Sequence, residues 1–123
     1  MTQARSQFGK KGEEAAAAFL RKKGYRILKM NFRSKAGEID IIAEHKKTVV
    51  FVEVKARASW EFGPPLSALT PCKQKKLVRL AECFLARYKA GGRERRFDVV
   101  SISGEPDRPQ SWKIELLQDA FRA

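Results

Sequence analysis

Residues 37–57 leave this chain little choice of local structure. Gly37-Glu38-Ile39-Asp40-Ile41-Ile42-Ala43 and Thr48-Val49-Val50-Phe51-Val52-Glu53-Val54-Lys55 are two runs rich in β-branched residues, separated by the polar Glu44-His45-Lys46-Lys47. Such runs around a short polar break predict a β-hairpin. Side chains alternate along a strand, so Glu38 and Asp40 are expected on one face of the first strand, and Glu53, Lys55 and Arg57 on one face of the second. Val50, Val52 and Val54 form the opposite row, expected to face the core. If both acidic rows lie on the same side of the sheet, Asp40 and Glu53 are either directly opposite, at about 5 Å, or diagonal, at roughly 7–8 Å. A magnesium or manganese ion with oxygen ligands at about 2.1 Å fits between two such carboxylates. Lys55, two residues along the strand, brings an ammonium within reach of a phosphate at that ion.

The same alternation also describes a half-exposed strand whose charges are merely solvated. Three features argue for a site instead. The acid on the preceding strand has the matching parity, the neighbouring residues are too apolar for a free sheet face, and the rest of the chain is strongly basic.

The net charge is +12, from 26 Lys or Arg against 14 Asp or Glu, and it is unevenly spread. Residues 1–35 carry ten basic and two acidic residues, and residues 61–97 carry nine and three, whereas residues 36–60 balance four against four. An acidic cluster is thus flanked by two basic segments, an arrangement suited to a metal site that acts on a polyanion. The basic residues are not confined to one amphipathic face, which favours nucleic acid over an anionic membrane as partner.

The 123 residues predict a single domain, 1–123, with a core that needs no disulfides. The longest uncharged stretch, Phe62 to Cys72, holds three prolines and is too short to span a bilayer. The N-terminus lacks the apolar run of a signal peptide, so a cytoplasmic location is expected. Cys72 and Cys83 are expected on one helix, as reduced structural thiols.

Phe8, Gly12, Ala15, Ala16, Phe19 and Leu20 recur at helical spacing, predicting a helix over about 7–23 capped by Gly24. Glu13 borders its buried stripe, either as a favourable anion near the helix start or as a third carboxylate for the metal. Tyr25 to Phe32 reads as a strand. After a loop from Ala58 to Thr70, Thr70-Pro71 opens a second helix running to about Ala90, with Leu77, Leu80, Ala81, Phe84, Leu85 and Tyr88 inward. Lys73, in its first turn, can reach a phosphate at the helix N-terminus. Arg96 to Ile102 is a further strand, and Trp112 to Leu117 an edge strand. Asp98 is expected to pair with a basic neighbour in a structural role.

This order resembles the restriction-endonuclease-like fold, an α/β αβββαβ core with a mixed central sheet flanked by helices. Asp40…Glu53-Val54-Lys55 resembles the Asp…(Asp/Glu)-x-Lys signature of that superfamily. More closely, Gly12-Glu13, Gly37-Glu38-Ile39-Asp40, Phe51-Val52-Glu53-Val54-Lys55-Ala56-Arg57, Phe62-Gly63, Lys73 and Arg96-Phe97-Asp98 look like the YraN family of small bacterial proteins, over about Gly9 to Ile102. The resemblance implies Asp40 and Glu53 as metal-binding carboxylates, Lys55 as catalytic lysine and Glu13 as an additional acid, with Mg²⁺ or Mn²⁺ as cofactor. Glu38 is placed either as a further base or as an exposed strand acid. Lys73, Arg57, Lys10 and Lys11 are expected to bind the nucleic acid.

The expected activity is a magnesium-dependent endonuclease that hydrolyses phosphodiester bonds in DNA, branched or structured DNA included. Two alternatives of another class stand beside it, a non-catalytic nucleic-acid-binding module and a basic assembly factor for a ribonucleoprotein. Monomer and homodimer are both compatible with the sequence, and no base-recognition motif is visible.

Overall fold

The computed structural model describes residues 3–58, 69–90 and 92–122, with side chains from Phe8 onward. The elements are α1 (Gln3–Lys22), β1 (Arg26–Ser34), β2 (Gly37–His45), β3 (Thr48–Arg57), α2 (Pro71–Arg87), β4 (Arg95–Ser103) and β5 (Lys113–Phe121), with a 3-10 turn at Pro109–Ser111. The expected Gly63-Pro64-Pro65 loop, the Phe62-Gly63 motif and Gly91 lie outside the described residues. No helix among the described residues is long and apolar enough to cross a membrane.

The five strands form one mixed sheet in the order β1-β2-β3-β4-β5. Three pairings are antiparallel, and β3 and β4 run parallel. A parallel neighbour needs a crossover, and α2 is the element between them. The result is an α/β fold with a helix on each face of the sheet.

That layering changes the reading of β3. Val50 and Val52 pack with Phe8, Ala16, Ala17 and Leu20 of α1, as expected of a core row. The opposite row is also buried, because Val49 and Phe51 pack with Leu77, Leu80, Phe84 and Leu85 of α2. A strand covered on both faces reads as a continuous apolar run, which is what residues 49–52 are. Glu53 and Lys55 therefore continue a buried row rather than a solvated one, and both remain only partly exposed.

Local chemistry explains most boundaries. Gly24, at φ 91°, ends α1 in a Schellman turn, with Tyr25 N–H donating to Leu20 O at 3.0 Å and Gly24 N–H to Arg21 O at 3.1 Å. Thr70 caps α2, its hydroxyl accepting from the Lys73 N–H at 3.2 Å, with Pro71 in the first turn. The hairpin is tighter than the polar tetrapeptide suggested. Glu44 and His45 stay in the ladder, opposite Val49 and Thr48, and only Lys46 and Lys47 turn, both at positive φ. Tyr88 was expected inward, but α2 ends at Arg87 and the Tyr88 side is half exposed, lying against the Phe84 ring at 4.5 Å. The last strand begins at Lys113 and continues to Phe121 at the sheet edge. Both cysteines are free and on α2, as expected, but Cys72 is exposed and serves no packing role.

Asp98 is buried in β4. Its carboxylate accepts from Tyr25 Oη at 2.7 Å, Arg96 Nε at 2.9 Å and the Asp119 N–H at 2.9 Å. Arg96 also reaches His45 Nδ1 at 3.1 Å, and the His45 ring stacks on Tyr25. This ties β2, β4, β5 and the residue that leads into β1 together, the structural role expected for Asp98.

Candidate metal and phosphate site

The β2–β3 ladder runs from His45↔Thr48 to Ile41↔Val52 and then stops. Continued for one more pair, the same register would set Asp40 opposite Glu53. Instead the Asp40 carboxylate accepts the Val54 N–H at 2.8 Å, so a side chain takes the place of a backbone partner and the strands part. The apolar rows change sides at the same point. Ile39 packs in the α2 core and Ile41 in the α1 core, and Asn31, which faces Asp40 across β1–β2, has φ 53°. The strict alternation expected along β2 fails at Asp40, and an opening in the sheet is the consequence.

Four carboxylates converge there. One oxygen each from Glu13, Glu38 and Asp40 lies within 4.8 Å of the others. The Asp40 and Glu53 carboxyls are within hydrogen-bonding reach of each other. Burial, followed by the Glu53 charge beside it, pushes the Asp40 pKa up to about 9, with Glu13 adding to the repulsion and the Val54 N–H opposing it. Asp40 thus holds a proton at neutral pH in the metal-free protein.

Glu13 arrives from α1 because Gly12 allows the helix to sit tightly on the sheet. A Cβ at Gly12 would lie 3.2 Å from Ala56 Cβ, closer than side chains comfortably pack, and 3.5 Å from Ile102 Cδ1, an ordinary contact. Glu13 then accepts from Asn31 Nδ2 at 2.8 Å, and Glu38 pairs with Arg33 Nε at 2.8 Å. These two partners escaped sequence reasoning. Asn31 and Arg33 lie on β1, which pairs with β2, and nothing in their spacing signals that they steer acids on other elements.

Lys55 stands beside the carboxylates and is partly buried. Burial lowers its pKa, and so does Lys73, which lies within hydrogen-bonding reach; Glu53 and Asp40 pull the other way. Lys73 comes from the first turn of α2, so a lysine from each side of the crossover meets at one point. A cleft of about 690 Å³ opens from this site, lined by Glu13, Asn31, Glu38 and Lys55 with the basic Lys10, Arg33 and Arg57. Lys11 is exposed on α1 and does not line it.

The donor set is all oxygen, three carboxylates with an oxygen each within 4.8 Å of the others and a fourth adjacent, which suits a hard cation such as Mg²⁺ or Mn²⁺. The raised pKa of Asp40, caused by burial and by the Glu53 charge beside it, is also what a divalent ion would relieve. The residues present therefore fit the ion implied by the sequence, with Glu38 beside Glu13 and Asp40 in the carboxylate cluster.

A family model described as an uncharacterised protein family matches residues 12–102. A protein of that family from Desulfosudis oleivorans is 43% identical over 123 residues, covering 100% of this chain and 96% of its own length. One from Caldicellulosiruptor saccharolyticus is 52% identical over 115 residues, covering 94% and 97%. Another from Symbiobacterium thermophilum is 45% identical over 115 residues, covering 94% and 96%. The matched span includes Glu13, Glu38, Asp40, Glu53, Lys55 and Lys73, and the chain belongs to the uncharacterised protein family UPF0102, the YraN family its motifs resemble.

Proposed function

We propose that this protein is a divalent-metal-dependent nuclease that hydrolyses phosphodiester bonds in DNA, structured DNA included. The observation that carries the reading is the partly buried Asp40–Glu53 pair, joined by Glu38 and Glu13 and facing Lys55. A surface that only bound nucleic acid would gain nothing from four clustered carboxylates beside phosphates, since each opposes the polyanion. With a cation among them they become favourable.

Asp40, Glu53, Glu38 and Glu13 would hold the ion, which when bound supplies positive charge against the reacting phosphate and activates water. The chain itself does the rest. Asp40 gives up its proton as the ion enters. Glu13 and Glu38 are held by Asn31 and Arg33 so that the acid cluster does not have to assemble. Lys55 directs an ammonium at a phosphate oxygen, where fixed charge in a partly desolvated cleft stabilises the developing negative charge. Lys73, Lys10 and Arg57 give the approaching backbone further cations.

The test is incubation of the full chain with linear, flapped, junction and single-stranded DNA, and with RNA counterparts, plus Mg²⁺ or Mn²⁺ and beside a chelator. Products in the metal lanes only, lost in Lys55→Ala, are expected. Binding without products under any of these conditions would sink the nuclease reading and leave a nucleic-acid-binding module.

A further inference from the structure

A second groove lies on the α2 side of the sheet, outside the carboxylate cleft. It has a volume of about 520 Å³ and is bounded by α2 and the end of β5. Its floor is apolar, from Pro71, Val78 and the ring of Phe121, and its rim is cationic, from Lys75, Arg79 and Arg122. No acidic residue is among the described residues that line it. Among the described residues Lys75 and Arg79 have no ion-pair partner, whereas Arg122 is paired with Asp119 at 2.9 Å. Two unneutralised cations and a third half-neutralised one therefore border a flat aromatic surface.

Phe121 is prepared for stacking. One face of its ring lies on Phe97 at 4.6 Å and 20°, which fixes its plane, while the residue remains partly exposed to the groove. A rigid aromatic plate with cations at phosphate distance is the recurring means of holding single-stranded nucleic acid, because every base has a π-face and every nucleotide a charge. Duplex DNA hides its base faces and would gain nothing from the plate. An apolar peptide would leave the cations without partners.

The groove and the candidate site both draw on α2, from different sides of it. Lys73, in the first turn, meets Lys55, whereas Lys75 and Arg79 lie about 200° and 240° around the helix axis from Lys73, at about 100° per residue.

We infer that this groove holds an unpaired nucleic-acid strand, with phosphates against Lys75, Arg79 and Arg122 and a base stacked on Phe121. The inference builds on the nuclease reading and narrows its substrate to nucleic acid with a single-stranded segment, held on a surface apart from the carboxylate cleft. Flaps, gaps and junctions opened at the branch satisfy that requirement, and an intact duplex does not.

The experiment is a fluorescence-anisotropy titration of the full chain in chelator, using labelled oligothymidylate of about eight nucleotides, near the size of one single-strand site. An abasic oligomer of equal length and charge serves as comparison, and oligouridylate separates RNA from DNA as the source of the strand. Wild type should bind the base-bearing oligomer about fivefold or more tightly than the abasic one, the low end for one stacked base. Phe121→Leu should abolish that preference while leaving abasic binding within about twofold, because the phosphate contacts stay. Lys75→Gln/Arg79→Gln, on the exposed helix face, should weaken both oligomers and reduce the salt slope by about 1.4, near 0.7 per phosphate contact. Equal wild-type affinity for both oligomers would overturn the inference, as would a base preference that survives Phe121→Leu. Displacement of the probe by an acidic, Phe-containing peptide as effectively as by oligothymidylate of the same charge would assign the groove to a protein partner and also overturn it. The titration needs no cleavage, so an inactive wild type that still prefers bases removes the nuclease reading alone.

Discussion

Two aspartates sit inside the same sheet and have opposite fates. Asp98 on β4 is met by Tyr25, by two nitrogens of Arg96 and by the Asp119 N–H, so the protein itself supplies charge and hydrogen bonds. Among the described residues, Asp40 on β2 has one donor, Val54 N–H, and its other close neighbours are Glu53, Glu13 and Glu38. A buried carboxylate is stable when its partners are built in and costly when they are not. The fold completes Asp98 and leaves Asp40 in need of a proton or a cation, and that unfinished state marks a place for chemistry.

Substitution should separate the two most sharply. Asp40→Asn is expected to abolish cleavage and the rise in melting temperature given by millimolar Mg²⁺ or Mn²⁺, which reflects selective binding to the folded site. The metal-free variant should be as stable as wild type or more so, since the cost of holding a carboxyl protonated beside Glu53 is gone. Retention of both metal-dependent effects in Asp40→Asn would make the two aspartates alike and remove the site. At Asp98 the opposite holds. Asp98→Ala strands Arg96, Tyr25 and a backbone N–H, and should cost roughly 3–5 kcal/mol by denaturant unfolding, as for a buried pair with one partner removed. A loss below about 1 kcal/mol, the range of exposed ion pairs, would mean that Asp98 is not the anchor described here.

Lys55→Ala comes next in size. Loss of one oriented charge should lower the cleavage rate about 100-fold, with substrate affinity changed within about threefold because several phosphate contacts remain. Single-turnover rates beside binding titrations distinguish the two effects. Unchanged turnover would exclude Lys55 from the mechanism.

The smallest effect is on pH. The pKa of Asp40 is raised in the folded protein, so the stability it contributes is fully present below the unfolded value near 3.8 and is lost as pH rises towards about 9. A metal ligand must be deprotonated, so apparent Mn²⁺ affinity should rise with pH by up to about tenfold per unit below that value. His45 runs the other way. Burial, then Arg96 and Lys46, lower its pKa, so the stability it contributes is present above the unfolded value near 6.5 and is lost as pH falls below it. His45→Gln should flatten the acid limb of a stability–pH profile and leave the Mn²⁺ titration unchanged. A shifted Mn²⁺ titration would show that the two polar regions are coupled.

The sequence by itself determined the elements of this protein, because those signals are local. The run 37–57 carries its hairpin, Gly24 and Thr70-Pro71 carry the ends of the helices, and the helical spacing of Leu77 to Leu85 carries the inward face of α2. The nearness of Asp40, Glu53 and Lys55 was legible in outline from the hairpin that pairs β2 with β3, although the alternation expected along β2 breaks at Asp40. Only the tertiary structure decided what those places contain. That both faces of β3 are buried follows from α2 crossing over to pair β3 with β4, a contact between distant segments. The parting of the strands at Asp40, the docking of Gly12 that delivers Glu13, and the hold of Asn31 and Arg33 on the acids all depend on close approach in space. So does the meeting of Lys55 with Lys73. Periodicity reports the direction of a side chain from its own backbone; its charge state depends on what other segments bring against it, and that is settled only when the layers pack.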